Sequence, residues 1–194
     1  MQHPRVTELW PEYLLMQYAI IRATVPLTEA ALARSRTLQD VEPLAVPLGA
    51  YLEEHVVEEL HHDDVLLGDL EAVGVDRSTV LERIPSPTVA ALVGSQYYWI
   101  LHCHPVAFLG YVALMEGYPP TPELIETLRE ATGFPQEAFR TYVQHAELDP
   151  GHRDRLDRTI DSLPLEPWHE SAIGVSAIST AAYATRALEE MLDP

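Results

Sequence analysis

The chain has 194 residues, of which 30 are acidic and 12 are basic, giving a formal net charge of −18. All 12 basic residues are arginines. The absence of lysine excludes Schiff-base chemistry on a lysine and the phosphate-binding lysine of a P-loop. The acidic excess argues against nucleic acid as a partner, because such a surface repels phosphate. We expect one domain, residues 1–194.

The single cysteine, the N-terminal residues and one long uncharged segment indicate the cellular compartment of the protein and whether it binds a membrane. The lone Cys103 excludes an intrachain disulfide and a thiolate zinc cluster. The first eight residues lack the apolar core of a signal peptide, so we expect a cytoplasmic protein. Residues 88–115 carry no Asp, Glu, Lys or Arg and are numerous enough to span a bilayer. Because His102, His104 and Pro105 interrupt them, we predict a buried helix of a soluble bundle and no membrane partner.

Helical periodicity dominates the whole chain, strand alternation is scarce, and prolines separate the segments. Helices are predicted at about residues 7–23, 27–37, 47–73, from 79, 87–117, 121–132, 135–148, onward to 161, and from 167 to near the C-terminus. A break is expected at Asp149-Pro150-Gly151. No linker is long enough to separate a second domain. The predicted fold is an all-α bundle of seven or eight helices.

The third predicted helix contains the first group of residues that could bind a metal. Glu54 and His61 are seven positions apart, about two helical turns, so they share a face of the predicted helix. Glu58 would lie on that face as an additional or alternative ligand. Runs of charge are common on solvated surfaces, so this stretch by itself favours an acidic surface over a metal site.

A second group follows the spacing i, i+4, i+7 and consists of His145, Asp149 and His152. Two imidazoles and a carboxylate on one helical face suit iron, manganese or zinc. The same residues also fit a simple turn, with Asp149 capping the next helix. A proline inside a helix costs ~3 kcal/mol, so a metal site here has to tolerate Pro150.

Glu116 is the first acidic residue after the 28 residues 88–115 and falls in the last turn of its predicted helix. A carboxylate there meets the negative end of the helix dipole, a penalty of roughly 0.3–1 kcal/mol. A bound cation would reverse the sign of that interaction. The alternative is a side chain that reaches water beyond the helix end.

Together these groups resemble the heme-oxygenase-like non-heme di-iron oxidases and oxygenases, also called iron-containing redox enzymes. That family carries a Glu with a His seven residues later, a lone carboxylate on the next core helix, and His-x3-Asp-x2-His. The resemblance implies a heme-oxygenase-like bundle of about seven helices that binds two Fe ions, Fe(II) or Fe(III), and uses O2 as co-substrate. The implied metal-ligating and catalytic residues are Glu54, His61, Glu116, His145, Asp149 and His152.

The resemblance further implies an oxidoreductase with a biosynthetic role that acts on a small amino acid or amine. N-oxygenation, desaturation and carbon–carbon cleavage are the reactions it suggests, and a homodimer is compatible with a helical bundle. Alternatives are a metal-independent enzyme of the thiaminase-II or quinone-cofactor-synthase type, and an acidic partner-binding protein. A ferritin-like di-iron protein would instead use the Glu-x-x-His pairs at 58–61 and 166–169.

Overall fold

The computed structural model describes residues 4–192, and within that range it contains α-helices, short 3-10 and π segments, and no strand. This confirms the all-α prediction. The α-helices are α1 Val6–Ile21, α2 Thr24–Arg36, α3 Ala45–Glu59, α4 His62–Ala72, α5 Arg77–Glu82, α6 Pro87–Tyr98, α7 Phe108–Met115, α8 Pro122–Thr132, α9 Arg140–Ser162 and α10 Pro167–Leu192.

The helices bury two hydrophobic clusters. In the first, α10 packs against α6 and α7, and α2 packs against α3. In the second, α1 packs against α4 and α8. α9 contacts α4 on one side and α7 on another, so it joins the two clusters. The end of α3 belongs to the first cluster and α4 to the second, and the boundary between them holds the functional site.

A break replaces the single helix predicted over 47–73. Leu60 has an extended backbone, His61 has φ +71°, and α4 then begins at His62. His61 is the one non-glycine residue with positive φ among residues 4–192, a conformation that costs roughly 1–2 kcal/mol. The break changes the direction of the chain, so side chains beyond it do not follow the helical phase of α3.

The uncharged segment is also interrupted. After α6 the chain forms a π turn at Trp99–Cys103 and a 3-10 turn at Pro105–Ala107 before α7 begins. His104, between the two turns, has an extended backbone because it precedes a proline. Among residues 4–192, no helix has the length and apolar character needed to cross a membrane.

The predicted break at residues 149–151 is wrong, because α9 continues through Pro150 from residue 140 to residue 162. An internal proline costs ~3 kcal/mol. Asp149, His152 and Leu156 are buried on this helix. The packing of that face therefore keeps α9 continuous despite the lost hydrogen bond.

Gly110 places α7 directly against α10. A Cβ added at Gly110 would lie 2.1 Å from the carbonyl oxygen of Ile173 and 2.8 Å from the backbone nitrogen of Ala177. Only glycine allows two helical backbones to approach so closely. The contact fixes the position of α7, whose C-terminal end carries Glu116.

Candidate metal centre

Three histidines and three carboxylates come together where the α3–α4 junction, α7 and α9 meet. Five of the six residues are buried, and the side chain of His145 is 20% exposed. We call this group the buried cluster, and its members are Glu59, His62, Glu116, His145, Asp149 and His152.

Short distances connect the members of the buried cluster. His62 Nδ1 lies 3.2 Å from Glu59 Oε2 across the α3–α4 break. His145 Nδ1 donates a 2.9 Å hydrogen bond to Asp149 Oδ1 within α9. The centroids of the His62 and His145 rings are 5.1 Å apart, so the metal-binding residue types of α4 and α9 lie next to each other.

His152 connects α9 to the end of α7. Its Nδ1 lies 3.7 Å from Glu116 Oε2 and 3.8 Å from Asp149 Oδ1. These separations exceed a hydrogen bond, so the three side chains face one another without satisfying one another. A shared ligand could occupy the space between them.

Burial and charge crowding shape the titration of the cluster. Burial, with the nearby Glu59 and Asp149 carboxylates, raises the pKa of Glu116 well above its ordinary value. Burial lowers the pKa of His152 and favours its neutral form, which can bind a metal. For His145 burial lowers the pKa, but the Asp149 hydrogen bond and the charges of Asp149 and Glu59 together outweigh burial, so its pKa is raised. A cation would relieve the repulsion among the three carboxylates.

Unpaired atoms test whether the cluster fits a metal ion. Glu59 Oε1, Glu116 Oε2, His145 Nε2 and His152 Nδ1 are buried and have no hydrogen-bond partner within residues 4–192. Buried polar atoms normally have one, because an unmatched group costs ~1–3 kcal/mol. Imidazole nitrogens and carboxylate oxygens are donors that suit iron, manganese and zinc. The residues present therefore fit a metal centre.

The structure brings four of the sequence-predicted ligands together, namely Glu116, His145, Asp149 and His152. It does not bring Glu54 and His61 to them. The side chain of Glu54 is 65% exposed, and that of His61 is 79% exposed and faces Asp64 at 3.4 Å.

The prediction that Glu54 and His61 converge with the other four is therefore corrected. It assumed a continuous helix, but the break at Leu60 and His61 turns His61 outward and His62 inward. Glu59 and His62 occupy the place that the sequence pattern gave to Glu54 and His61.

An apolar stripe in the sequence could have identified the correct face of α3. Leu48, Tyr51 and Leu52 are buried, and positions 55 and 59 continue their i, i+3, i+4, i+7, i+11 spacing. Glu54 lies off this stripe. The stripe predicts His55 and Glu59 as the buried polar residues of α3, as the structure shows.

Glu58 lies beside the buried cluster, with Oε2 3.8 Å from His152 Nε2. Both of its carboxylate oxygens accept hydrogen bonds from Arg155. The guanidinium therefore compensates the charge of Glu58 and occupies the oxygens that would otherwise be free to bind a metal.

A second group of metal-binding residue types joins Glu42, His104 and His169. His104 Nε2 lies 2.9 Å from one Glu42 oxygen, and His169 Nε2 lies 3.0 Å from the other. The opposite nitrogen of each ring accepts a backbone N–H, from Val106 at 3.1 Å and from Glu166 at 3.0 Å. Each Nδ1 therefore keeps its lone pair, and each Nε2 carries the proton that it donates to Glu42.

In this protonation pattern both histidines donate a hydrogen bond to the same carboxylate, and we call the group of Glu42, His104 and His169 the clamp. For a metal to bind through Nε2, both rings would have to move their proton to Nδ1 and lose their backbone hydrogen bonds. The clamp also holds His169, at the start of α10, against Glu42. His169 is the histidine of the second Glu-x-x-His pair. The ferritin-like scheme, which needs this histidine beside the pair at 58–61, gains no support from that placement.

A cavity of about 520 Å³ opens beside the buried cluster. Glu59, Glu116, His145 and Asp149 line one part of it. The remaining wall combines aliphatic groups with polar ones, namely Tyr13, Gln17, Ile20, Ile21, Thr24, Leu66, Tyr111, Leu114, Met115, Thr141, Tyr142 and Leu188 among others. No arginine is among the lining residues that the structure describes.

Two solved structures share this fold. One is a domain of unknown function with a heme oxygenase-like fold from Shewanella denitrificans OS217, with a TM-score of 0.82 and 17% identity over 96% of this chain and 78% of that chain. The other is a TenA homolog from Pseudomonas syringae pv. tomato str. DC3000, with a TM-score of 0.74 and 13% identity over 99% of this chain and 86% of that chain. These likenesses confirm the predicted heme-oxygenase-like fold. No curated protein matches the chain.

The family itself is shown by a sequence match. A family model described as "Iron-containing redox enzyme" matches residues 12–182, which is most of the chain and includes every member of the buried cluster. This match agrees with the nitrogen and oxygen donors found at the boundary of the two hydrophobic clusters, and the chain belongs to this family of iron-containing redox enzymes.

Proposed function

We propose that the chain is an O2-activating non-heme di-iron oxidase or oxygenase that acts on a small amine or amino acid. The observation that carries this proposal is the convergence of three imidazoles and three carboxylates, several with unpaired buried atoms, beside a cavity. Two ferrous ions bound by these residues would supply two electrons to O2, one from each ion.

The protein's own residues hold and orient the donor atoms. Because Nδ1 of His145 donates its proton to Asp149, Nε2 of the same ring keeps a lone pair, and this atom is buried without a partner among residues 4–192. A carboxylate that accepts the remote N–H of an imidazole fixes the tautomer and raises the basicity of the ligand. Asp149 can therefore both orient His145 and offer its second oxygen to a metal.

The cavity supports an amine more than a free carboxylate as substrate. Glu59, Glu116, His145 and Asp149 of the buried cluster line it, and no arginine lines it among residues 4–192. The sequence has no lysine that could replace it. An aliphatic or aromatic body would fit the apolar part of the wall, with the amine facing the proposed metal centre.

Iron binding tests the site with matched pairs of variants. We expect wild-type protein to bind about two Fe(II) per chain under anaerobic conditions, and Glu59→Gln or His62→Ala to lose at least one. Glu54→Gln and His61→Ala are the controls, because these neighbours have exposed side chains and should leave iron binding unchanged. The site assignment fails if the controls lose iron and the buried-residue variants keep it.

Oxygen consumption tests the reaction. Iron-loaded protein should consume O2 faster with an amine such as 2-phenylethylamine than with 3-phenylpropionate, which has a similar body and an acidic head. Product analysis would then identify N-oxygenation, desaturation or cleavage. Iron-loaded protein that consumes no O2 with any amine or amino acid contradicts an oxidase or oxygenase function.

A metal-independent enzyme of the thiaminase-II type is the alternative that the likeness to the TenA homolog suggests. A version that relies on a thiol nucleophile is disfavoured here. The one cysteine in the sequence, Cys103, is exposed in the π turn and does not line the cavity. Activity that persists after complete removal of metal by a chelator would favour this alternative.

A further inference from the structure

His55 is a fully buried polar side chain outside the buried cluster as defined above. It lies on α3 one helical turn before Glu59 and on the same buried stripe. Neither of its ring nitrogens has a hydrogen-bond partner within residues 4–192. The ring stacks on Tyr51, with 5.6 Å between the ring centroids, which fixes its orientation.

An imidazole without partners in this position has an energetic cost. A neutral ring has one donor and one acceptor, and each unmatched buried group costs ~1–3 kcal/mol. The neutral ring keeps one nitrogen lone pair, which a cation can use.

The neighbours of His55 are the donor atoms of the proposed metal centre. Its Nε2 lies 3.4 Å from Glu116 Oε1. Donor atoms of His55, Glu59 and Glu116 all lie within 4.8 Å of one another. Two ligands bound to one ion at roughly 2.0–2.2 Å and a tetrahedral angle are themselves about 3.4 Å apart, so the observed spacing suits a shared ion.

The other ring nitrogen faces a carboxylate. Nδ1 of His55 lies 4.0 Å from Glu58 Oε2, which Arg155 holds in place. Histidines that bind a metal through one nitrogen usually direct the other N–H toward a carboxylate or carbonyl. The two sides of the ring therefore face the partners that a metal-bound histidine needs.

We propose that His55 is a seventh metal-binding side chain, a fourth imidazole that binds through Nε2 to the ion shared by Glu59 and Glu116. This inference rests on the proposed metal centre. It adds a neutral nitrogen donor to a site whose other six members supply three histidines and three carboxylates. The sequence pattern expects a glutamate seven positions before the metal-binding histidine, whereas here position 55, seven before His62, is itself a histidine.

Cobalt(II) is the probe for the test, because its visible absorption reports coordination independently of enzyme activity. Wild-type protein should bind two cobalt ions per chain. In His55→Ala one of them should bind at least tenfold more weakly, since even loss of an indirect partner costs 10–100-fold in affinity. The absorption band of that ion should shift, and added imidazole should restore it. His61→Ala, which alters an exposed histidine on the α3–α4 break, should match the wild type.

Two outcomes separate the inference from the proposed function. If wild-type protein binds no cobalt or iron, the proposed metal centre itself fails. If wild type binds two ions and folded His55→Ala binds both with unchanged affinity and absorption, only the role of His55 is overturned.

A second measurement covers the case in which His55→Ala does not fold. Proton NMR of cobalt-loaded wild-type protein should show four hyperfine-shifted, exchangeable ring N–H signals, one for each bound histidine. Three such signals would overturn the role of His55 without the need for a variant.

Discussion

The contact of Gly110 with α10 gives a sharp test of how the fold positions the metal centre. In Gly110→Ala, the added methyl group would lie 2.1 Å from the carbonyl oxygen of Ile173, whereas ordinary contacts begin at about 3.4 Å. The obstacle is helical backbone, which cannot rotate away as a side chain can. The two helices would have to separate by more than 1 Å, which would disturb the buried side chains of Phe108, Leu109 and Val112.

The expected cost lies at the upper end of the range for overpacking, about 3 kcal/mol. In a domain of this size that corresponds to a fall in Tm of about 6–12 °C, measured by circular dichroism in the presence of a chelator. The affinity for Fe(II) should also fall, because Glu116 is carried at the end of α7 and would move with the helix.

Gly94→Ala is the matched control. Gly94 lies in α6, and among residues 4–192 a Cβ there meets no atom within 4 Å beyond its chain neighbours and its own helix backbone. The substitution should therefore raise stability by up to about 1 kcal/mol, through the better helix propensity of alanine. If Gly110→Ala shows wild-type Tm and iron affinity, the close approach of α7 and α10 is not what positions Glu116.

Three further predictions concern buried polar groups and α9. Since the pKa of Glu116 is raised in the folded state, the metal-free wild type binds more protons than its unfolded chain above pH 4.5 and loses stability as the pH rises through the folded pKa. In urea unfolding with a chelator present, the free energy of unfolding of Glu116→Gln should therefore increase relative to that of the wild type as the pH rises. A difference between the two that does not change with pH would contradict this. Glu42→Gln should destabilise the protein by ~1–3 kcal/mol, because one histidine N–H then faces an amide N–H. Glu53→Gln, which alters an exposed ion pair, should stay within about 1 kcal/mol, and equal effects would contradict the clamp. Pro150→Ala should raise the unfolding free energy of metal-free protein by up to ~3 kcal/mol, and no gain in urea unfolding would mean that the proline causes no strain in α9.

Local patterns in the sequence predicted the helical class and much of the site. The spacing of His145, Asp149 and His152 placed all three on one face of α9, and that face is buried. Glu116 followed from its position after a long uncharged segment, and the structure places it beside His152. These predictions depend only on helical phase within one element, which the sequence encodes directly.

Glu54 was misplaced because it lies off the buried face of α3, and His61 was misplaced because its direction depends on a backbone break. No glycine or proline lies next to Leu60 and His61 in the sequence. The local residues therefore do not predict a left-handed backbone conformation at His61. A shift of one residue, about 100° of rotation around a helix, exchanges His61 for His62. The opposite error occurred at Pro150, where tertiary packing overrides a residue that normally ends a helix.

The clamp of Glu42, His104 and His169 could not be predicted either. Its members are more than 60 residues apart in the sequence, since 62 positions separate Glu42 from His104 and 127 separate Glu42 from His169. Contacts of this range depend on how whole helices pack, and no local periodicity reports them.

Anomalous diffraction at the iron edge from crystals of the Fe(II)-loaded protein would locate the bound iron. We expect two iron peaks per chain, close together and within bonding distance of the buried cluster formed by Glu59, His62, Glu116, His145, Asp149 and His152. Iron at the exposed Glu54 and His61, or no ordered iron in crystals grown with excess Fe(II), would contradict this expectation.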